Sequence, residues 1–324
     1  MKVKLIGTGF GERVVAPVFR AHGAEVEIFH PRDGDGIRRA CASDADLVSV
    51  HSPPYLHKQH VDLALDNGKA VLCDKPFGLN AGESRAMRDR ARSLGLPGFI
   101  NVEFRHQPSR VKMRELLRAG AIGTPVHLGF MFFGPGLRDR RHGWLFDDAL
   151  GGGWVRTYGS HMVDMLRWLF DAEIVDSGAI RRIEVPVRTD RDGRPQRSTA
   201  EDAFSCWIRM DNGVTVNADT NFSASVRVPQ LIVILGSEGA LELVNELKLI
   251  LHKPGEEDQH FDFPAPTGDI HEPALIPWIG ALLAAVRDGR QIAPSFDDGV
   301  AMAEAMDRLR DSPLLQSSGG QGPI

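Results

Sequence analysis

The sequence predicts an α/β domain followed by an α+β domain, and three observations support this prediction. A strand runs into a helix through a glycine-rich turn at residues 4–11. Apolar strands then alternate with helical segments as far as residue 102, which predicts a parallel sheet with helices on both faces. After residue 121 the apolar residues follow a period of two, which is typical of antiparallel strands. We therefore expect domains at 1–121 and 122–316 and a flexible tail at 317–324.

Length and composition are those of a folded protein with sizeable cores: 324 residues, 42% hydrophobic and 25% charged. The formal net charge of -5 and the scattered arginines argue against nucleic-acid binding, which needs a clustered basic surface. Cys41, Cys73 and Cys206 are too few and too far apart for a disulfide framework or a cysteine metal site, so we expect a reducing cytoplasm and no metal. The first residues run directly into the first strand, and no apolar run approaches the length of a membrane span, so we expect a soluble protein without a leader.

The first turn has the residues of a dinucleotide-binding turn: Gly7, Thr8, Gly9, Phe10 and Gly11. Its first glycine permits a sharp turn, and its second lets the backbone approach a pyrophosphate at the start of the next helix. In the six-residue G-x-G-x-x-G frame the third position is Glu12, and the extra glycine comes one residue early. Glycine turns also serve packing alone, so an architectural role stays open.

The second strand, residues 24–29, ends at the position where a dinucleotide-binding domain places the side chain that binds the adenosine ribose. The next residues are His30, Pro31 and Arg32, without an acid that would accept the ribose hydroxyls. Arg32 could instead pair with a 2′-phosphate, which favours NADP over NAD. The alternative is a solvated loop arginine beside Asp33 and Asp35.

Three more strands, at residues 47–50, 70–73 and 98–102, extend the candidate site, because ligands of such sheets gather at the carboxyl ends of the strands. The residues expected near the cofactor there are Ser52, Pro53, His57, Asp74, Lys75, Pro76 and Asn101. Those expected near a substrate are Lys75, Glu103 and Arg105.

In the second half, apolar and polar residues alternate at 126–132 and 204–210, and Asn212-Gly213 is typical of a hairpin turn. These patterns predict antiparallel strands. We expect residues 189–199 to form an exposed hairpin loop. One helix interrupts them and begins after a triple glycine. His161 and Asp164 are three residues apart on it, so the carboxylate can orient the imidazole. Further candidates for the substrate pocket are Trp144, Arg156, Thr157 and Tyr158.

Together these segments resemble the oxidoreductases grouped under glucose-fructose oxidoreductase, inositol 2-dehydrogenase and the rhizopine-catabolism protein MocA. The resemblance covers nearly the whole chain and rests on five segments: the N-terminal glycines, Ser52-Pro53-Pro54 with His57, Asp74-Lys75-Pro76, Gly151-Gly152-Gly153 ahead of Gly159-Ser160-His161 and Asp164, and Asp297-Asp298-Gly299. It implies a Rossmann domain, a second domain with a large, mostly antiparallel open sheet, and a C-terminal helix packing back on the first domain. It also implies NADP or NAD, a sugar, polyol or cyclitol substrate, and a dimer or tetramer formed through the open sheet face.

The resemblance gives Lys75 and His161 roles in catalysis. Lys75 would stabilise charge developing on the substrate oxygen, and His161 would act as acid or base on the hydroxyl whose carbon exchanges hydride. Two positions depart from the family pattern. Many relatives have aspartate where this chain has Thr157, and most have glutamate where it has Asp74.

The predicted function is therefore an NAD(P)-dependent oxidoreductase acting on CH–OH groups, with no nucleic-acid or membrane partner. Two alternatives remain open. One is a redox-neutral glycoside-cleaving or eliminating enzyme that holds its cofactor tightly. The other is a noncatalytic nucleotide-dependent regulatory protein, which Thr157 keeps open and which Lys75 and His161 argue against.

Overall fold

A computed structural model describes residues 1–316, so the predicted tail at 317–324 lies outside the described residues. Proximity of Cα atoms divides the chain into two compact units. Unit 1 comprises Met1–Gln107 and Pro266–Glu304, and unit 2 comprises Pro108–Ala265 and the chain from Ala305 onward. The predicted domains differ from these units in the assignment of residues 108–121 and 266–304, and the boundary between independently folding domains stays a prediction.

The first part of unit 1 alternates strands and helices. Its strands are β1 Lys2–Ile6, β2 Glu25–Phe29, β3 Leu47–Val50, β4 Ala70–Asp74 and β5 Gly98–Asn101. Its helices are α1 Ala16–Ala21, α2 Gly34–Ala42, α3 His57–Asp66 and α4 Ala81–Leu94. The strands pair in parallel in the order β2-β1-β3-β4-β5, which confirms the predicted Rossmann sheet.

Unit 2 is built on a larger sheet. Next along the chain come α5 Pro108–Arg118, β6 Pro125–Phe133, α6 Ser160–Phe170, β7 Ile174–Ile183, β8 Val187–Thr189, β9 Pro195–Arg197, β10 Ala203–Met210, β11 Thr215–Asn221, β12 Leu231–Gly236, β13 Ala240–Val244, β14 Lys248–His252 and β15 Gln259–Asp262. The chain continues with α7 Glu272–Arg287, α8 Phe296–Arg310 and β16 Leu314–Gln316.

The large sheet has the order β15-β14-β13-β12-β6-β11-β10-β7-β16. Its pairs are antiparallel except for β6 with β11 and β7 with β16. The predicted mostly antiparallel sheet is therefore confirmed, with two parallel pairs that the sequence pattern did not reveal. Strands β8 and β9 form a separate hairpin over most of the predicted hairpin loop.

Helix α7, which the sequence analysis did not predict, belongs to the core of unit 1. Its Leu275, Trp278 and Leu282 are fully buried and lie in one apolar cluster with Leu5 and Phe99 of the parallel sheet. Burial of this apolar surface is the main favourable term that holds the helix in place. None of the helices between residues 1 and 316 has the length and apolarity needed to cross a membrane.

Candidate active site

The glycine turn follows β1 and leads through a π-helical turn, Gly11–Val15, into α1. Gly7 has a φ of +149°, and a Cβ there would lie 2.5 Å from the carbonyl oxygen of His51. A Cβ on Gly11 would lie 2.6 Å from the Cβ of His51, so Gly11 supplies the close packing that the usual frame assigns to position 12. A Cβ on Gly9 would meet no atom within 4 Å. The backbone at Gly9 is thus open to a ligand, as a bound dinucleotide requires.

Arg32 lies exposed beyond the end of β2 and donates a hydrogen bond to the hydroxyl of Tyr55 at 3.1 Å. His30 Nδ1 lies 3.2 Å from the backbone nitrogen of Arg32. The two neighbouring acids have other partners: Asp33 caps α2 by accepting from the N–H of Gly36 at 3.0 Å, and Asp35 contacts a guanidinium on α2. Among the described residues, the contacts of both carboxylates are therefore made with groups of α2. Neither contact directs a carboxylate toward a ribose at this strand end.

Asp74, at the end of β4, anchors the residues beside Lys75. Its Oδ1 accepts from the backbone N–H of Lys75 at 3.1 Å and from Asn101 Nδ2 at 3.2 Å, and its Oδ2 lies 3.3 Å from His51 Nδ1. Burial acts to raise the pKa of the Asp74 carboxyl, but contact with His51 and the charge of Lys75 outweigh it and leave the pKa lowered. Asp74 is therefore an anion that fixes the chain at the carboxyl edge of the sheet, with half-buried Lys75 next to it.

His57 joins the loops that follow β3 and β4. Its Nδ1 lies 2.9 Å from the carbonyl oxygen of Pro76, and its Nε2 lies 2.7 Å from that of Ser52. The Ser52 hydroxyl contacts His60 Nδ1 at 3.0 Å, and burial lowers the pKa of His60 to about 4. Pro53 follows Ser52 at the start of the next turn. These contacts hold the backbone of both loops, so a direct contact of His57 with the cofactor stays a prediction.

Glu103 and Arg105 follow β5 and have separate partners within unit 1. Arg105 Nη2 donates to Asp298 Oδ1 at 2.8 Å, and both side chains are largely buried. Glu103 Oε1 lies 2.5 Å from His271 Nδ1. Their predicted contact with a substrate stays a prediction, and the two side chains are not brought together with each other.

Three consecutive glycines in unit 2 shape the approach to α6. Gly151 and Gly153 have φ values of +78° and +108°, which favour glycine. A Cβ on Gly152 would lie 2.4 Å from the carbonyl oxygen of Trp144, and one on Gly153 would lie 2.3 Å from Glu201 Oε1. The triple glycine is therefore required by backbone conformation and by close packing. Trp144 itself lies half-buried in a short 3₁₀ turn.

Glu201 holds the start of the helical segment that carries the candidate residues. Its side chain is fully buried, its Oε1 accepts from the backbone N–H of Val155 at 3.0 Å, and its Oε2 lies 3.2 Å from Arg181 Nη1. Burial raises the pKa of the Glu201 carboxyl. The carboxylate thus satisfies a backbone donor that the helix start leaves without an intrahelical partner.

Arg156 and Thr157 lie in a π-helical turn, Val155–Gly159, directly before α6. Arg156 Nη1 donates to the carbonyl oxygen of Asp148 at 3.0 Å and lies 3.1 Å from its carboxylate. The Thr157 hydroxyl donates to the carbonyl oxygen of Gly153 at 2.8 Å. Both contacts stabilise the glycine approach, so a role of either side chain toward a substrate stays a prediction.

Tyr158 is buried in an aromatic cluster. Its ring stacks on Trp154 at a centroid distance of 5.0 Å and lies 5.0 Å from Phe132. Its hydroxyl bonds to Arg110, whose guanidinium donates to Glu246 at 2.7 Å. Burial raises the pKa of the Tyr158 hydroxyl, so the group stays protonated at neutral pH.

His161 and Asp164 lie on the first part of α6, three residues apart, with 4% and 2% of their surfaces exposed. Residues at this spacing face the same side of a helix. The ring of Tyr158 lies 6.3 Å from that of His161. One continuous helical segment therefore carries the predicted base, its predicted orienting acid and three of the predicted substrate residues.

Comparison with known proteins identifies the family. Residues 1–101 match the profile described as "Oxidoreductase family, NAD-binding Rossmann fold", and residues 111–242 match "GFO/IDH/MocA C-terminal domain". The chain belongs to the Gfo/Idh/MocA oxidoreductase family. The predicted enzyme class, an oxidoreductase that uses a nicotinamide dinucleotide, is thereby confirmed.

Members and structural neighbours of this family span several activities. The chain is 25% identical to D-apiose dehydrogenase of Paraburkholderia graminis, over 98% of its own length and 86% of the relative's. Levoglucosan dehydrogenase in complex with NADH matches with a TM-score of 0.83 and 19% identity, over 96% of each chain. A super-repressor mutant of Gal80p from Saccharomyces cerevisiae matches with a TM-score of 0.80 and 13% identity, over 96% of this chain and 95% of that one. At these identities the two structural matches show the shared fold.

Three features of this family member were missed by sequence reasoning. His51 follows β3 directly, so its position at a strand end was a signal that could have found it. The Arg110–Glu246 pair that holds Tyr158 and the contact of Glu103 with His271 join residues 136 and 168 positions apart. Pairs so far apart leave no local pattern in a single sequence.

Proposed function

We propose that this protein transfers hydride between a nicotinamide dinucleotide and a hydroxyl or carbonyl carbon of a sugar, polyol or cyclitol-like substrate. The observation that carries the proposal is the open backbone at Gly9 on the same carboxyl sheet edge as Lys75. Membership of an NAD-binding oxidoreductase family supports it. The activity named for the D-apiose dehydrogenase relative supports the substrate class.

In this proposal the residues of the chain bind, orient and move a proton. The bound nicotinamide would supply the hydride chemistry. Lys75, as an ammonium, stabilises negative charge on the substrate oxygen, and the Asp74 carboxylate fixes the backbone beside it. His161 removes the hydroxyl proton in oxidation and returns it in reduction, with Asp164 orienting its ring.

A fluorescence titration of the purified protein with NADPH and with NADH tests the cofactor site. We expect micromolar binding of at least one dinucleotide, followed by reduction of the oxidised form with a member of a sugar and polyol panel. Failure of both to bind below about a millimolar, roughly 4 kcal/mol of affinity, would contradict the proposal.

Arg32→Ala is expected to weaken NADPH binding roughly 10- to 100-fold while changing NADH binding less than about twofold. A hydrogen bond to a charged group contributes about 1.5–3 kcal/mol, and about 1.4 kcal/mol is tenfold in affinity. Arg32 is exposed and Asp33 is engaged as a helix cap, which supports a role with a 2′-phosphate. Arg38→Ala, an exposed arginine on α2, is the matched control. Equal losses for the two dinucleotides would refute the phosphate contact.

Thr157 favours a second candidate function, a noncatalytic regulatory protein. Its hydroxyl donates to Gly153, and no carboxylate base exists at this position. The structural match to a Gal80p super-repressor mutant shows that a regulatory protein shares this fold. Dinucleotide binding with no turnover across the panel would support this function, whereas tightly held cofactor with substrate conversion and no net reduced nicotinamide would support a redox-neutral enzyme.

We also propose that the protein assembles through the face of the large sheet that carries Ile180, Trp207 and Leu235. Their exposed fractions are 52%, 48% and 45%, and strand register places all three on one face. Apolar side chains exposed together on one face of a sheet are typical of an interaction surface. Trp207→Arg is therefore expected to convert an oligomer to a monomer in light scattering. Val226→Arg is the control, because Val226 is 62% exposed but lies outside the strands. A monomeric wild type, or an unchanged mass in the Trp207 variant, would contradict this interface.

A further inference from the structure

His271, the residue before α7, is held by three contacts within unit 1. Its ring stacks on Phe104 with a centroid distance of 5.1 Å and an interplanar angle of 18°. Phe10 meets it edge-on at 4.9 Å and 70°. Its Nδ1 lies 2.5 Å from Glu103 Oε1. These contacts fix the ring plane and engage Nδ1, so Nε2 is the nitrogen that remains for a ligand.

Glu103 is paired with His271 inside unit 1. The Glu103 side chain is 1% exposed, and its Oε2 has no hydrogen-bond partner within residues 1–316, so His271 is the hydrogen-bonding partner of this carboxylate. Buried carboxylates are stabilised by a hydrogen-bonding partner. The neighbouring Arg105 donates to Asp298 at 2.8 Å, and His271 is the side chain that contacts Glu103. In the protonated form of histidine both ring nitrogens are donors, so Nε2 can donate while Nδ1 is engaged by the carboxylate.

Phe10 connects this pair to the glycine turn. It lies between Gly9, whose backbone is open, and Gly11, which packs against the end of β3. The diphosphate of a dinucleotide binds at such a turn because backbone N–H groups and the helix start there favour negative charge. The protonated form of an imidazole beside Phe10 offers a charge-assisted donor of the kind that phosphate oxygens accept.

We propose that His271 is a further cofactor-binding residue, whose Nε2–H donates to a phosphate oxygen of the dinucleotide, and that Glu103 is its positioning residue. This inference rests on the proposed function, because it requires a bound dinucleotide. It assigns the buried Glu103 to the cofactor side of the site rather than to the substrate.

The test compares affinities of four proteins for NADH, NADPH, ADP-ribose and adenosine by fluorescence titration and competition. His271→Phe keeps an aromatic ring against Phe10 and Phe104 and removes both nitrogens. It is expected to lower the affinity for the three diphosphate ligands roughly 10- to 100-fold and to leave that for adenosine unchanged. His271→Arg, which supplies a cationic N–H donor, is expected to recover most of the loss. His22→Phe, a histidine in contact with α7 near Gly280, is the control and is expected to match the wild type.

The outcomes separate this inference from the proposed function. Equal affinities of His271→Phe and wild type for ADP-ribose overturn the inference alone. A loss of equal size for adenosine also overturns it, because ring packing would then explain the effect. Absence of dinucleotide binding by the wild type overturns the inference and the proposed function together. Glu103→Gln provides a second check, with an expected loss in the same direction and of smaller size, since the glutamine keeps the side chain's shape but removes the countercharge.

Discussion

Lys75→Met is expected to lower the turnover number roughly 100- to 1,000-fold, which is the typical cost of losing a preorganised charge at a developing oxyanion. Methionine keeps the length and apolar character of the side-chain stem but lacks the ammonium. Lys75 follows β4 at the carboxyl edge of the parallel sheet, and its backbone N–H is held by the Asp74 carboxylate. The loss therefore reflects the missing charge rather than a displaced loop.

The measurement is initial rates with the dinucleotide and the best substrate of the panel, analysed as separate changes in kcat and KM. A transition-state role predicts that kcat and kcat/KM fall together, while dinucleotide affinity and Tm stay near those of the wild type. Lys69→Met is the matched control, since Lys69 lies just before β4, at the opposite edge of the sheet. Turnover at the wild-type rate in Lys75→Met would remove this lysine from the mechanism.

His161→Asn is expected to lower turnover by roughly 100- to 10,000-fold, the range that general acid–base catalysis contributes. Asparagine retains a polar group of similar reach but cannot take up the hydroxyl proton. His161 is buried on a helix whose start is fixed by Glu201 and by the triple glycine, so the substitution leaves the supporting backbone in place. Asp164→Asn is expected to give a smaller loss, because it removes the orienting charge and keeps the base.

Turnover is measured as for Lys75, with thermal unfolding to confirm that the variant is folded. His127→Asn, on β6 in the same unit, is the control and is expected to leave turnover unchanged. If His161→Asn and the control turn over alike, the proton-transfer role assigned to His161 is wrong. If the protein is noncatalytic, neither the wild type nor any of these variants will show turnover. Absence of turnover in the wild type would therefore support the regulatory function over the enzymatic one.

At Gly11 the sequence pattern predicted the kind of turn correctly but not the residue that makes its close contact. The glycines and the apolar strand before them predict a dinucleotide-binding turn, yet the frame placed Glu12 at the third position. The structure shows that Gly11 itself makes the close contact with His51, at a position that a Cβ would fill. Gly11 is also the first residue of a π-helical turn, which the spacing of residues along the sequence does not predict.

The sequence by itself determined the features that depend on local patterns: the alternation of strands and helices, the parallel sheet edge with its candidate residues, and the position of His161 and Asp164 on one helix. Neighbours along the chain produce these features, so periodicity and spacing reveal them. Only the tertiary structure decided the partners of Glu103, Arg105 and Glu201 and the core position of α7. Buried charged groups take whichever distant partner the packing brings near, and that choice is made by the folded chain as a whole.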